Sequence, residues 1–396
     1  MFSLATAGVV AVCIVGSMLN PFTRPSVAKS DQVNFDTYRF KDLLSLPATC
    51  IKTQGMSGTC WSFVGTSFLE SELLRETGQE FDLSEMFVVR NAYFEKARNY
   101  ILRQGTARFT EGGLVHDVLI SAAKHGIATE DYYSGLLKGQ TVHDHRKLFP
   151  ALKEIVERHA NPDQTPQGNW RNEFASVLDQ YLGQLPAPDV KGKSLDPQEF
   201  LKRSKLDLND YITLTSFNHA PFYASFVLEI PANYASERFY NLPLNEFMTN
   251  IDWALDHGFT VALDGDFTEH YFGNGAAVLP IATATPQQVS SGRFEEVNVT
   301  QGIRQAGFES FQTTDDHLMH IIGTAKDQFG RRYYKAKNCW GVEWGRAGFA
   351  YLSEAYIRMK AISVTLHKDG LNPTTRASLK LESGTAVSLN HMDVTK

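Results

Sequence analysis

Apolar residues recur at helical spacing from Cys60 onward. Trp61, Phe63, Val64, Phe68, Leu69, Leu73 and Leu74 carry the pattern, and Gly78 supplies a stop. The pattern predicts a helix that begins at the cysteine. A second helix is expected through "MFVVRNAYFEKARNYILR", with Asp82 placed to cap it and Glu85 three residues on. "EGG" (111–113) reads as a turn, and "LVHDVLISAAKHG" as a third helix ending at Gly126. Residues 135–250 change character: polar helical runs such as "ALKEIVERHA" and "DPQEFLKRSKL" are interrupted around "ANPDQTPQGN". They read as an inserted, mainly helical subdomain. "LPLNEFMTNIDWALDHG" is expected to be helical and "FTVALDGD" a buried strand. Toward the end, "HLMHIIGTAKD", "RRYYKAKNCWG" and "GFAYLSEAYI" are β-prone runs punctuated by Gly330, Gly341 and Gly348. Helices first and strands later predict an α+β protein with a helical lobe and a sheet lobe.

Composition narrows the function classes. With 396 residues, 43% of them hydrophobic and 21% charged, the chain can build a large globular core. A net charge of −6 without a long run of one sign leaves no basic footprint, so no nucleic-acid partner is expected. The first thirty residues stand apart. "LATAGVVAVCIVGSML" (4–19) is short for a membrane span, and "AKS" (28–30) offers small residues for cleavage. The expectation is an export signal and a periplasmic or secreted protein, with no stable membrane association once the leader is removed. The alternative is an uncleaved N-terminal anchor. Cleavage would remove Cys13 and leave Cys50, Cys60 and Cys339, an odd number that suggests one thiol kept for chemistry. A Cys50–Cys339 pairing stays open.

The stretch "TQGMSGTCWSF" (53–63) carries that chemistry. A cysteine at a helix N-terminus feels the positive end of the macrodipole and free backbone N–H groups, which favour the thiolate. A nearby imidazolium would favour it further. The Cys60 N–H and the side-chain amide of Gln54 can together hold the oxyanion of a tetrahedral intermediate.

"QGMSGTCW" resembles the nucleophile segment of papain-like cysteine peptidases: Gly58, Cys60 and Trp61 fit, while Ser57 and Thr59 depart. "TTDDHLMHIIG" and "YYKAKNCWG" match the family's histidine and asparagine segments at His317 and Asn338. Cys60 and His317 are 257 residues apart, well above the roughly 130–150 given for papain itself. An insertion of roughly a hundred residues between the lobes would account for that. The lack of a second cysteine, the helix after "DLSE", "EGG" and "ALDGDFTEHYF" are similar to the bleomycin hydrolase or aminopeptidase C branch, from residue 40 to about 375.

The resemblance implies a two-lobed papain-like fold. Its expected parts are a leader at 1–30, a helical lobe with the nucleophile at 31–134, the insertion at 135–250, a β-rich lobe with the histidine and asparagine at 251–380, and a tail at 381–396. It also implies roles. Cys60 attacks, His317 exchanges the proton, Asn338 orients the imidazole, Gln54 holds the oxyanion, Trp340 and Trp61 support them, and Gly112 and Gly113 approach the bound peptide. No metal or cofactor is expected, because His317 and His320, three apart in a strand, face opposite sides. Asp315 and Asp316 read as solvated acids at a strand's start, with orientation of a substrate amine as the alternative. Members of the branch are aminopeptidases whose own C-terminus lies in the cleft, and are usually cytoplasmic and hexameric. A homo-oligomer is therefore in play, although the leader and the tail "ESGTAVSLNHMDVTK" depart from that pattern. The expected activity is that of a cysteine aminopeptidase acting on peptides. The alternatives are an endopeptidase with an open cleft, a catalytically dead papain-like binding protein, and a Cys–His–Asn acyltransferase.

Overall fold

The computed structural model describes residues 33–161, 163, 169–186 and 195–381. The expected leader or anchor and all of the tail but Leu381 lie outside them.

The chain enters through β1 (Lys41–Ser45) and then forms six helices: α1 (Cys60–Thr77), α2 (Glu85–Leu102), α3 (Val115–His125), α4 (Leu148–Ala160), α5 (Trp170–Leu182) and α6 (Pro197–Ser204). Three strands follow, β2 (Tyr211–Thr215), β3 (Ser225–Val227) and β4 (Arg238–Asn241), then α7 (Leu244–Asp256) and β5 (Val261–Gly265). Short pieces come next: β6 (Phe272–Gly273), β7 (Ala276–Ala277), α8 (Pro286–Ser291) and α9 (Gln301–Glu309). The last part holds β8 (His317–Lys326), β9 (Arg332–Lys337), β10 (Phe349–Ser353), α10 (Glu354–Lys360), β11 (Ala361–His367) and α11 (Pro373–Ser378).

One sheet runs in the order β3-β4-β2-β11-β5-β8-β9-β10-β7-β6. Its spine is the ten-residue β8. The first half pairs antiparallel with β5 (Gly265 opposite His317, Asp264 opposite Leu318), and β1 takes that side of β8 farther along, from Gly323 to Lys326. Helices α1 to α6 share one hydrophobic core, which includes Trp61, Phe68, Tyr93, Val118, Leu152, Phe174 and Phe200. The sheet lobe has its own core around Leu263, Met319, Tyr334, Leu352 and Val364. Two lobes result, helical and sheet-based, as the α+β reading expects.

Residues 135–250 differ from the expected subdomain. Their helices α4 to α6 join the core of the helical lobe, and their strands β2 to β4 extend the main sheet beyond β11. The stretch "YITLT" has the β-branched content of a strand, but the polar helical runs around it dominate the sequence pattern. A second difference concerns α2. Its cap is Ser84, whose Oγ accepts from the N–H of Phe87 at 3.0 Å, whereas Asp82 pairs with Lys52.

Helix α1 sits between the lobes, and every residue from Cys60 to Leu73 is buried. Such a helix must partner its polar groups or lose stability. Glu70 accepts from Lys52 Nζ at 3.0 Å and from the N–H of Leu83 at 2.8 Å, and Lys52 also reaches Glu85 at 2.7 Å. This network ties the segment before the nucleophile to α1 and α2. Gly78, at φ 69°, ends the helix by donating its N–H to the Leu74 carbonyl. Gly65 permits α3 to approach, because a Cβ there would stand 2.5 Å from Val118 Cγ2. Gly65→Val is therefore expected to lower stability by about 1–3 kcal/mol in urea unfolding. Val118→Ala in the same chain should restore part of the loss; an unchanged midpoint for the single variant would contradict the close approach.

Candidate active site

The junction between the lobes collects most of the residues singled out in the sequence. Cys60 opens α1 after Thr59, whose carbonyl accepts from the N–H of Ser62 at 2.9 Å. His317 opens β8, and Asn338 follows the last residue of β9. The N–H groups of Leu318 and Trp61 both reach the Cys60 sulfur, which places the start of β8 directly against the start of α1.

The His317–Asn338 contact decides the tautomer. Asn338 Oδ1 lies 2.8 Å from His317 Nε2 and accepts from the N–H of Cys339 at 2.8 Å. A backbone N–H can only meet an acceptor, so this atom is the amide oxygen. His317 must then carry its proton on Nε2, which leaves Nδ1 of the neutral ring to accept one. Trp340 covers the pair: its ring stacks on His317 at a centroid distance of 4.5 Å, and Phe267 meets the imidazole edge-on at 5.9 Å.

Burial governs the charges. It pushes the Cys60 thiol up to about 12, against the two N–H groups that favour the thiolate, and Asp315 and Asp264 add to the rise. It also draws His317 down to about 4, against the hydrogen bond to Asn338. Burial therefore opposes the thiolate that the helix terminus and the two N–H groups favour. It disfavours the charged form of each group taken alone.

Gln54 is held on three sides. Its backbone N–H donates to the Cys339 carbonyl at 2.9 Å, its Oε1 accepts from the Cys339 thiol at 2.9 Å, and its amide nitrogen donates to the Ser57 carbonyl. One N–H of the amide remains beyond these contacts. Cys339 is thus a buried buttress of Gln54 rather than a partner of Cys50. Trp61 Nε1 donates to the Glu111 carbonyl at 2.9 Å, and Glu111 Oε2 accepts from the N–H of Gly58 at 2.7 Å. Gly113 lies against the Trp61 ring, where a Cβ would come within 2.9 Å, whereas Gly112 faces open space and gives its carbonyl to Lys96 Nζ. His320 points away from this site and bonds Ser67 Oγ at 2.9 Å. Among the described residues no group of side chains could hold a metal ion, and no helix is long and apolar enough to cross a membrane.

The sequence pattern of the papain family cysteine protease matches residues 40–169 and 273–365, together more than half of the chain. The chain belongs to the papain family of cysteine proteases. The unmatched stretch between them begins at α5 and ends within β6, so it contains the strands that extend the sheet. The chain is also similar to aminopeptidase C of Streptococcus thermophilus, with 21% identity over 93% of this chain and 92% of that one. Among solved structures it resembles PepW from Lactobacillus rhamnosis HN001, with a TM-score of 0.68 and 17% identity over 86% and 85% of the two chains. This is a cysteine peptidase with a papain-like fold, and its substrates are peptides.

Three groups escaped the sequence reading. Lys96, 2% exposed, lies 4.9 Å from the Trp61 ring centroid and 3.9 Å from Asp117 Oδ2. Glu111 pins the turn before Cys60. Asp264, 3% exposed, stands in β5 opposite Leu318. "EGG" signalled a turn without naming Glu111's partner, and nothing in the local pattern marks Lys96 or Asp264.

Removing the Trp340 cover should admit water to the imidazole. Trp340→Ala is expected to raise the His317 pKa from about 4 toward the ordinary 6.5, because loss of burial favours the charged form. A titration of the imidazole signals by NMR measures it; an unchanged value would show that Trp340 does not shield the ring.

Proposed function

We propose that this cysteine peptidase is an aminopeptidase whose reaction is carried by Cys60, His317 and Asn338. Cys60 Sγ bonds to the scissile carbonyl carbon as its proton passes to His317 Nδ1 and the carbonyl electrons move onto oxygen. The Cys60 N–H and the remaining Gln54 amide N–H receive that oxyanion. As the intermediate collapses, the C–N bond breaks, His317 returns the proton to the leaving amine, and a thioester remains. Water then attacks the thioester with His317 as base, releasing the acid and restoring the thiol. Asn338 keeps the imidazole in the required tautomer throughout, and no metal or organic group enters the scheme. Gly113, beside Trp61, and the adjoining Gly112 are assigned to the wall along which the peptide lies.

The observation that carries this reading is the Nε2–Oδ1 contact under Trp340, which leaves Nδ1 as the ring's acceptor, while the N–H of the next residue, Leu318, reaches the Cys60 sulfur. The aminopeptidase assignment draws on the likeness to aminopeptidase C across nearly the whole chain. A fluorogenic dipeptide with a free N-terminus and its acetylated counterpart test it. Cleavage of the free form at least tenfold faster is expected, and equal or faster cleavage of the acetylated form would make the enzyme an endopeptidase. Cys60→Ala should abolish hydrolysis while the unfolding midpoint stays in place. Asn338→Ala should lower kcat by about 10²- to 10⁴-fold; retention of full turnover by either variant would remove the assigned roles.

A further inference from the structure

Two carboxyl groups flank the nucleophile with no cation in direct contact. Asp264 is on β5 and Asp315 just precedes β8. The register that sets Asp264 opposite Leu318 brings their carboxyls together, and both act on the Cys60 sulfur. Asp264 is almost wholly buried. Its Oδ2 lies 3.4 Å from Ser363 Oγ, while its Oδ1 meets no donor. Asp315 is half-buried and accepts from the N–H of Ala232, in the segment between β3 and β4. Among the described residues, no lysine, arginine or histidine nitrogen lies within ion-pair distance of either carboxyl; Arg108, and Lys96 from its place against Gly112 and Asp117, act on Asp315 only from farther off.

Neighbouring Asp316 is different. Its carboxylate accepts from the N–H groups of Phe267 at 2.8 Å and Thr268 at 3.2 Å, so it is consumed in holding the loop after β5. The reading of "DD" as solvated acids at a strand's start therefore fails for both residues, for different reasons.

Two carboxyls pressed together in a buried site destabilise a fold unless a proton or a cation joins them. Burial raises both pKa values; Asp315 raises that of Asp264 further by its charge and hydrogen bond, and the same hydrogen bond favours the ionised form of Asp315. Nothing in the packing of β5 against β8 requires an acid at position 264, since its neighbours there, Leu263 and Leu318, are apolar and buried. What the pair does offer is an acceptor surface beside the reacting sulfur.

We propose that Asp264 and Asp315 form a subsite for a cationic group of the substrate, an ammonium or guanidinium positioned next to the scissile bond, with the unpartnered Oδ1 of Asp264 as its principal acceptor. The group comes either from the free α-amine or from a lysine or arginine side chain. The inference rests on Cys60 being the nucleophile of a peptidase and adds the feature by which that site selects its substrates. A cation entering the pair meets two acceptors already aligned, and a charge-assisted hydrogen bond in a dry site discriminates by about ten- to a hundredfold against an uncharged isostere.

The test uses the purified full-length protein, Asp264→Asn, Asp315→Asn and Asp316→Asn. One arm compares a free-amine peptide amide with its acetylated form. The other compares acetylated peptides carrying lysine or norleucine in the residue before the cleaved one. In wild type, the charged member of at least one arm should be preferred by about tenfold or more in kcat/KM. Asp264→Asn and Asp315→Asn should each collapse that ratio toward one, mainly through KM, and Asp316→Asn should keep it. Loss in the first arm identifies the α-amine, and loss in the second identifies a side chain. Equal losses on charged and uncharged members, or unchanged ratios, would overturn the subsite.

A second readout does not depend on hydrolysis. Cys60 is labelled with a cationic aminoethyl thiosulfonate and with neutral methyl methanethiosulfonate, and the rates are read by mass spectrometry of the Cys60 peptide. The carboxyl pair should favour the cationic reagent, and either Asn variant should reduce that preference. Were no peptide hydrolysed while the labelling preference held, the peptidase mechanism would fall and the cation subsite would stand. Normal hydrolysis without any charge preference in either readout would leave the mechanism and remove the subsite.

Discussion

Asn338 Oδ1 accepts two hydrogen bonds, from the N–H of Cys339 and from Nε2 of His317, and the chemistry of the site depends on that double acceptance. The first bond fixes which end of the amide is oxygen. The second then fixes which imidazole nitrogen holds the proton. Only with Nδ1 unprotonated can the ring accept a proton from Cys60, so a backbone group two bonds from the reaction sets the state of the base. Trp340 and Phe267 keep water from competing for the same oxygen. Cys339 contributes once more through its thiol and carbonyl, which hold Gln54. In the proposed mechanism the "NCW" tripeptide thus organises the base, the oxyanion donor and the cover together.

Cys60, the proposed nucleophile, reaches this unit because α1 is a helix buried along most of its length, anchored between two lobes. Lys52, Glu70 and Glu85 tie its flank to the segment before it, and Glu111 holds the turn at Gly58. The closed site costs the charged forms of Cys60 and His317 their hydration. In the proposed mechanism, forming the two charges as a pair, with the N–H groups of Trp61 and Leu318 on the sulfur, offsets that cost. The same dryness strengthens any cation held by Asp264 and Asp315, so substrate selection and nucleophile activation draw on one environment.

Much of this was legible in the sequence because it is local. A cysteine before tryptophan at the start of an apolar helix, a histidine opening a β-prone run and an "NCWG" stretch each carry their own pattern. The α1 boundaries follow from the apolar spacing and Gly78. What escaped depends on register and packing. Asp264 gains a role only because β5 pairs with β8 so that it faces Leu318 and meets Asp315. The strands β2 to β4 were hidden among polar helical runs, and they join the sheet through β11, more than a hundred residues later in the chain. The thiolate expected from helix position is a local inference too, and burial, a non-local quantity, acts against it.

The central claim is that acyl transfer begins at Cys60, and trapping the acyl intermediate tests it most directly. The enzyme would be mixed with an activated ester of a free-amine dipeptide, quenched in acid within milliseconds to seconds, digested and mapped by mass spectrometry. The account predicts one added acyl mass, on the peptide containing Cys60, that decays as product appears and that is slow to form in His317→Ala. An acyl group on Cys50 or Cys339 instead, or turnover with no acyl-enzyme formed, would contradict it.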